Sequence, residues 1–214
     1  MGRKPDLAVR ERILQEAEHV IHLKGFGDAS MDEIAEACGM TKANLFHHYG
    51  SKAELALAAL DFKIAEFHAR RVEPLCAEAN PEQAVTVMFE QAAKLFSGNG
   101  CKAGCFVGNI ALEMSDKDEA FRERVGRFFA VWASGMADCL ERAKASGYFQ
   151  PSLDSKATAE ALVALYEGTI MLAKCRRDAR IFKRVGPVAR SLLEQHKVVD
   201  RRNAKMGPKT PCGC

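Results

Sequence analysis

The sequence lacks any long uninterrupted apolar segment. No run approaches the roughly 18 residues that a membrane-spanning helix needs, and the first six residues are polar, without the apolar stretch of a signal peptide. Runs of β-branched residues that alternate with polar ones are also missing. These absences predict an all-α protein that does not interact with a membrane and that is cytoplasmic.

The signatures of common enzyme classes are missing too. The chain has no glycine-rich phosphate loop, no His-Glu-x-x-His sequence and no paired Cys-x-x-Cys sites. We therefore expect no enzyme activity, no catalytic residue, no cofactor and no metal site. The eight cysteines lie mostly within helical patterns, which predicts reduced thiols rather than a disulfide framework.

The net charge of +3 is small but unevenly distributed. Residues 1–52 carry seven Lys and Arg against eight Asp and Glu, and residues 53–173 carry twelve against seventeen. Residues 174–214 carry twelve against three. Bulk charge does not indicate nucleic-acid binding at the amino-terminal end, so any such prediction depends on where individual side chains lie.

Apolar residues recur every three or four positions along most of the chain, which is typical of amphipathic helices. Helix-capping residues and glycine breaks divide this pattern into about nine helices. We expect these near residues 6–24, 31–38, 41–49, 51–78, 81–97, 106–114, 117–146, 154–175 and 180–197, with Pro74 kinking the fourth. The predicted domains are a head of residues 1–52, a body of residues 53–198 and a flexible tail of residues 199–214.

Two of the predicted helices are short and are joined through Gly39, as in a helix-turn-helix. The second begins at Thr41, so that Lys42 could donate to guanine and Asn44 could pair with adenine in the major groove. Phosphate contacts are expected further along, from His47, His48, Tyr49 and Lys52. The spacing alone fits a solvent-exposed helical hairpin of any α-helical protein equally well.

Residues 39–52 read Gly-Met-Thr-Lys-Ala-Asn-Leu-Phe-His-His-Tyr-Gly-Ser-Lys, which resembles the signature of the TetR family of transcriptional repressors. The resemblance covers residues 7–60. It implies that Lys42, Ala43, Asn44 and Phe46 face the groove of double-stranded operator DNA. It also implies that His47, His48 and Lys52 contact the DNA backbone, and that Ser30 caps a helix and touches phosphate.

Two positions depart from the family pattern, since Ala43 stands in place of the usual Gly and Phe46 in place of the usual Tyr. Neither departure argues against DNA binding, but both leave the operator sequence open.

The same resemblance implies a homodimer that forms through the last two long helices. The apolar stripes that fit this role are Leu162, Leu165, Thr169 and Leu172 in one helix and Val185, Val188, Leu192 and His196 in the other. These stripes could equally complete the core of each protomer. A small-molecule effector would lie among the middle helices, where the candidate lining residues are Phe89, Phe96, Phe106, Phe128, Trp132 and Tyr166.

Residues 104–113, Gly-Cys-Phe-Val-Gly-Asn-Ile-Ala-Leu-Glu, resemble a branch of the family with Gly-Cys at this place, in which oxidant- and electrophile-responsive members occur. Cys105 lies four residues after Cys101 and near a helix start, which favours the thiolate. Lys102 could stabilise that thiolate, as could Lys174 in the pattern of the same branch. Cys105 could instead be a small buried hydrophobic residue.

One alternative function remains open from the sequence: a thiol-based metal- or redox-binding helical protein that does not bind DNA. The terminal Cys212 and Cys214 leave the same choice open, because two thiols alone do not define a site.

Overall fold

A computed structural model describes residues 7–74, 78 and 80–198 of the 214-residue chain. Across these residues the protein is built from nine α-helices without a strand, which confirms the all-α prediction. The helices are α1 (Leu7–Lys24), α2 (Met31–Ala37), α3 (Lys42–His48), α4 (Lys52–Phe67), α5 (Pro81–Gly98), α6 (Phe106–Met114), α7 (Glu119–Ala145), α8 (Ser155–Arg176) and α9 (Arg180–Glu194). The predicted border between residues 52 and 53 falls at the start of α4. The predicted tail, with Cys212 and Cys214, lies outside the described residues.

Local capping explains where several helices begin. The Ser30 hydroxyl accepts a hydrogen bond from the Glu33 amide, and the Glu33 carboxylate accepts one from the Ser30 amide, a reciprocal capping box at α2. At α4 the Ser51 hydroxyl accepts from the Glu54 amide at 3.0 Å. The Glu54 carboxylate there accepts from the Gly50 amide at 2.9 Å. These short-range bonds supply partners for amides that have none within a helix.

The fourth helix departs from α-helical geometry after Phe67, earlier than the kink at Pro74 that the sequence predicts. Its α-helical part ends at Phe67 and continues as a wider π-helical turn, His68–Val72. In this turn the Glu73 amide donates to the His68 carbonyl, five residues back. Pro74 has no amide hydrogen and cannot continue the regular pattern, so the distortion lies in the turn that precedes it.

The head and the body each have a buried centre. In the head, α1 to α3 enclose Ile13, Ile34 and Leu45, which are fully buried, and α4 packs along α1. In the body, α5 packs against α9, and α8 packs against α7 and α9. No helix among the described residues combines the length and the apolar character needed to cross a bilayer.

Candidate nucleic-acid interface and effector region

The turn between α2 and α3 sets the angle between the two helices. Gly39 adopts a φ of +64°, a conformation that is strained for residues with a side chain. The Met40 amide closes the turn on the Ala35 carbonyl at 3.0 Å. On the inner side of α3, Leu45 is fully buried. The helix is thereby fixed by one apolar residue, and its other faces remain open.

The open side of α3 carries most of the predicted DNA contacts. Thr41, Lys42, Ala43, Asn44 and His47 are exposed, and the Thr41 hydroxyl caps the helix by accepting from the Asn44 amide at 3.2 Å.

Two ring residues extend this surface. The Phe46 ring is 40% exposed, and His48 is half-buried. The structure therefore brings the predicted groove-facing side chains together on one short helix.

Tyr49 does not belong to this surface, so its prediction as a DNA contact was wrong. It is only 3% exposed, and its backbone leaves the helical conformation at φ −140° and ψ 119°. The Tyr49 ring lies under the Arg10 guanidinium at 5.8 Å. Ser30 is half-buried, and its hydroxyl is engaged in the α2 capping box.

Lys52 is engaged inside the head rather than directed away from it. Its ammonium donates to the carbonyl oxygens of Phe26, Gly27 and Ala29 at 2.7, 3.1 and 2.9 Å. The nitrogen also lies 4.6 Å from the centre of the Phe26 ring. An ammonium has three donors, and all three have partners here, so this geometry does not support the predicted phosphate contact.

Helix α6 connects the body to the head. The Glu113 carboxylate accepts from the amides of Phe26 and Gly27 at 2.8 and 2.6 Å. At the other end of α6, the His22 ring donates to the Gly104 carbonyl at 3.1 Å and lies 5.5 Å from the Phe106 ring. One nine-residue helix is therefore attached to α1 and its following loop at both of its ends.

The Gly-Cys segment surrounds a buried acid. The Cys105 sulfur caps α6 by accepting from the Gly108 amide at 3.4 Å. The Glu167 side chain of α8 lies beside this thiol, and its buried Oε1 atom has no hydrogen-bond partner among the described residues. A side chain at position 108 would place its Cβ 2.8 Å from the Glu167 carboxylate. Glycine at that position therefore gives Glu167 the room to approach the thiol.

The expectation of a low thiol pKa is wrong. Burial, together with the charge of Glu167, raises the pKa of Cys105, and burial raises the pKa of Glu167 to about 7. Burial likewise raises the pKa of Cys101. The predicted basic partner, Lys174, lies instead beside Gly104 and donates to the Asn109 side chain at 3.4 Å.

Five of the six aromatic candidates for the effector chamber belong to one connected cluster of rings. Trp132 lies 4.9 Å from Phe67, 5.9 Å from Phe128 and 5.4 Å from Tyr166, between ring centres, and Phe89 continues this cluster at 5.6 Å from Tyr166. Phe96 joins this cluster through Phe182, whose ring centre lies 5.2 Å from Phe96 and 6.3 Å from Tyr166. The remaining candidate, Phe106, packs on His22 instead.

Two cavities, of about 200 and 80 Å³, adjoin both Phe67 and Trp132. A groove of about 890 Å³ lies between α5 and α9.

The predicted dimer face is only partly available. Leu162 and Thr169 are buried within the protomer, at 0% and 2% exposure. Two residues of the predicted stripes are exposed, Leu172 of α8 at 43% and Val188 of α9 at 55%, and Met171 next to Leu172 is 52% exposed. Leu165, Val185, Leu192 and His196 are half-buried.

Sequence reasoning missed two acids that contact the candidate residues. Asp32 accepts from the Lys42 ammonium at 2.8 Å, and Glu167 meets Cys105 from a different part of the chain. Asp32 lies two residues after the cap Ser30, in the first turn of α2, so its position beside the turn could have been noticed. Glu167 has no local signal, because its role depends on tertiary packing. Within the described part of the chain, no group of three or more His, Cys, Asp or Glu could hold a metal ion.

Comparisons with known proteins identify the family of this chain. Residues 13–59 match the family described as "Bacterial regulatory proteins, tetR family". Residues 81–187 match "Tetracyclin repressor-like, C-terminal domain". The transcriptional regulator AcuR of Cereibacter sphaeroides is 28% identical over 174 residues, which are 79% of this chain and 78% of that protein.

Solved structures show the same fold. A TetR-family regulator from Cytophaga hutchinsonii superposes with a TM-score of 0.81 at 20% identity, over 94% of this chain and all of that one. The reduced form of Escherichia coli NemR superposes with a TM-score of 0.78 at 22% identity, over 89% of this chain and all of that one. With both domains matched, the chain belongs to the TetR family and is a DNA-binding transcriptional regulator.

Proposed function

We propose that this protein is a homodimeric repressor that binds a palindromic operator through α3 and is released by a small-molecule effector. The observation that carries the proposal is the presentation of α3. Leu45 fixes the helix from inside, while Lys42, Asn44 and Phe46 stand exposed on its outer faces. A helix of this size fits the major groove, where lysine and asparagine discriminate between bases.

The exposed apolar groups of α8 and α9 support dimer formation. Met171, Leu172 and Val188 are each more than two-fifths exposed, and apolar side chains gathered on adjacent helices are commonly covered by a partner. A two-fold pair presents two copies of α3, which favours half-sites whose centres lie about 34–36 Å apart or a multiple of that distance.

The cavities beside Trp132 support an effector site for a small, largely apolar molecule. The larger one is lined by apolar residues that include Phe67, Val72 and Phe128. Its polar lining residues are Asp61, His68, Arg124 and Arg127. Helix α4 connects this cavity to the head, because it begins at Lys52 and its α-helical part ends at Phe67. A molecule that favours a different position of α4 would shift the dimer toward a state with altered head spacing, with a coupling of about 1–3 kcal/mol.

The second route of release in this proposal is covalent modification of Cys105 by a soft electrophile, in which Glu167 must take up the thiol proton because the raised pKa of Cys105 leaves little thiolate. In the addition of N-ethylmaleimide, the S–H bond of Cys105 breaks and sulfur bonds to one alkene carbon. The other alkene carbon receives the proton, for which the Glu167 carboxylate serves as carrier, since a base with a pKa near 7 suits proton transfer at neutral pH. The added group would then separate the start of α6 from α8.

A direct measurement of DNA binding distinguishes the proposal from the alternative, a thiol-based metal- or redox-binding protein that does not bind DNA. A mobility-shift assay at about 0.15 M salt would use duplexes from beside the protein's own gene. We expect a shift for the intact protein, little for the Lys42→Ala/Asn44→Ala double variant, and an unchanged shift for Lys94→Ala on α5. Absence of any shift, combined with tight metal binding, would establish the alternative.

Two further measurements separate the parts of the proposal. Light scattering of the free protein should give the mass of a dimer, and a monomer would contradict the two-fold arrangement. Treatment with N-ethylmaleimide should weaken DNA binding, and the effect should disappear in Cys105→Ser. Persistence of the effect in that variant would remove Cys105 from the release mechanism.

A further inference from the structure

We infer that Asp32 is a specificity-determining residue of the DNA-reading surface. The proposal rests on the DNA-binding function proposed above, and it assigns to Asp32 a role that the sequence did not suggest. Its basis is the ion pair in which the Lys42 ammonium donates to the Asp32 carboxylate at 2.8 Å.

The position of the pair places Asp32 beside the reading helix. Asp32 lies in the first turn of α2, and Lys42 is the first residue of α3. Both side chains remain open to solvent, at 67% and 52% exposure. The capping of α2 uses Ser30 and Glu33 rather than Asp32, so the Asp32 carboxylate is not needed to hold the helix.

The ion pair with Asp32 changes the contribution of Lys42 to the free energy of DNA binding. To bind a phosphate, the ammonium must leave or share the carboxylate, and that carboxylate is repelled by the neighbouring phosphates. A base pair that offers acceptors to Lys42, such as the O6 and N7 atoms of guanine, compensates for the lost partner. A nearby cytosine could also donate its amino group to the carboxylate. Asp32 therefore weakens binding to unspecific duplex DNA more than it weakens binding to a matching site.

The chain supplies a matched control in Glu36. It lies four residues after Asp32 on α2, which is about one helical turn away on the same face, and it is exposed. Asp32→Asn and Glu36→Gln each remove one negative charge from α2. Only the first variant removes the charged partner of Lys42, because an asparagine oxygen can still accept a hydrogen bond but carries no charge.

The test compares two duplexes by fluorescence anisotropy across a range of salt concentrations. One duplex is a palindrome that the wild-type protein enriches from a random library, and the other is a scrambled duplex of the same length and composition. Asp32→Asn should lower the ratio of specific to unspecific affinity by about two- to fivefold, the range expected for one exposed ion pair. Glu36→Gln should leave this ratio unchanged. In a Lys42→Met background, Asp32→Asn should have no larger effect than Glu36→Gln.

Equal ratios for Asp32→Asn and wild type, or an equal change in Asp32→Asn and Glu36→Gln, would overturn the inference, because bulk charge would then account for the result. Failure of the wild-type protein to enrich any duplex would instead refute the proposed function. The two failures are therefore distinguishable.

Discussion

Replacement of Lys52 by Met tests whether this lysine stabilises the head or contacts DNA. The ammonium donates to three carbonyl groups of the α1–α2 loop, and hydrogen bonds to charged groups contribute about 1.5–3 kcal/mol each when buried. These carbonyls lie near the surface and water can replace part of the lost bonding, so we expect a total loss of about 2 kcal/mol. For a chain of this size, the loss corresponds to a melting temperature lower by roughly 4–8 °C.

Lys42→Met is the matched control for this experiment. Lys42 makes one ion pair with Asp32 and is half exposed, so its removal should change the free energy of unfolding by less than about 1 kcal/mol. Its effect should appear in DNA binding instead, as a loss of about tenfold or more, because a good base contact contributes about 1–3 kcal/mol. Thermal unfolding and anisotropy titrations measure both quantities.

The reasoning about Lys52 would be refuted by one combination of results. Lys52→Met would leave the melting temperature unchanged and reduce the slope of log affinity against log salt by about one unit per subunit, as loss of a phosphate contact does. In that case the resemblance to the family pattern would be the better guide to this residue.

Three further substitutions test the body and its connection to the head. In wild type, the raised pKa of Glu167 means that the folded protein binds the proton more tightly than the unfolded chain, so its stability falls as pH rises from about 5 to 8. Glu167→Gln lacks this group and should therefore gain stability relative to wild type by up to about 3 kcal/mol over that range. If the urea-unfolding midpoints of variant and wild type change with pH in the same way, this prediction is contradicted. Gly108→Ala should lose about 1–3 kcal/mol through overpacking against Glu167, whereas Gly126→Ala, where an added Cβ meets nothing within 4 Å, should lose none in the same assay. Glu113→Gln should speed hydrogen exchange at the amides of residues 26 and 27 and weaken DNA binding, while exchange as slow as in wild type would show that the carboxylate does not hold the loop.

Features that depend on neighbouring residues could be predicted from the sequence. The caps at Ser30 and Thr41 and the break at Gly39 follow from short-range hydrogen bonds and backbone preferences. They place α2 and α3 correctly, and the exposed residues of α3 then follow from the burial of Leu45.

Features that depend on packing between distant elements could not be predicted. Tyr49 stands next to polar residues in the sequence, yet its backbone leaves the helix and the ring enters the core. The pKa of Cys105 is raised because α8 brings Glu167 to it, and no spacing rule connects these two positions. For Leu162, the periodicity identified an apolar face without showing whether a partner or the protomer covers it.

The central claim is that α3 lies in the major groove, and methylation interference on the enriched palindrome tests it most directly. Methylation at guanine N7 blocks the major groove, whereas methylation at adenine N3 blocks the minor groove. The proposed arrangement predicts loss of binding on N7 methylation at two symmetry-related guanines, and loss of this sensitivity in Lys42→Ala. Interference confined to adenine N3, or unchanged N7 sensitivity in Lys42→Ala, would contradict it.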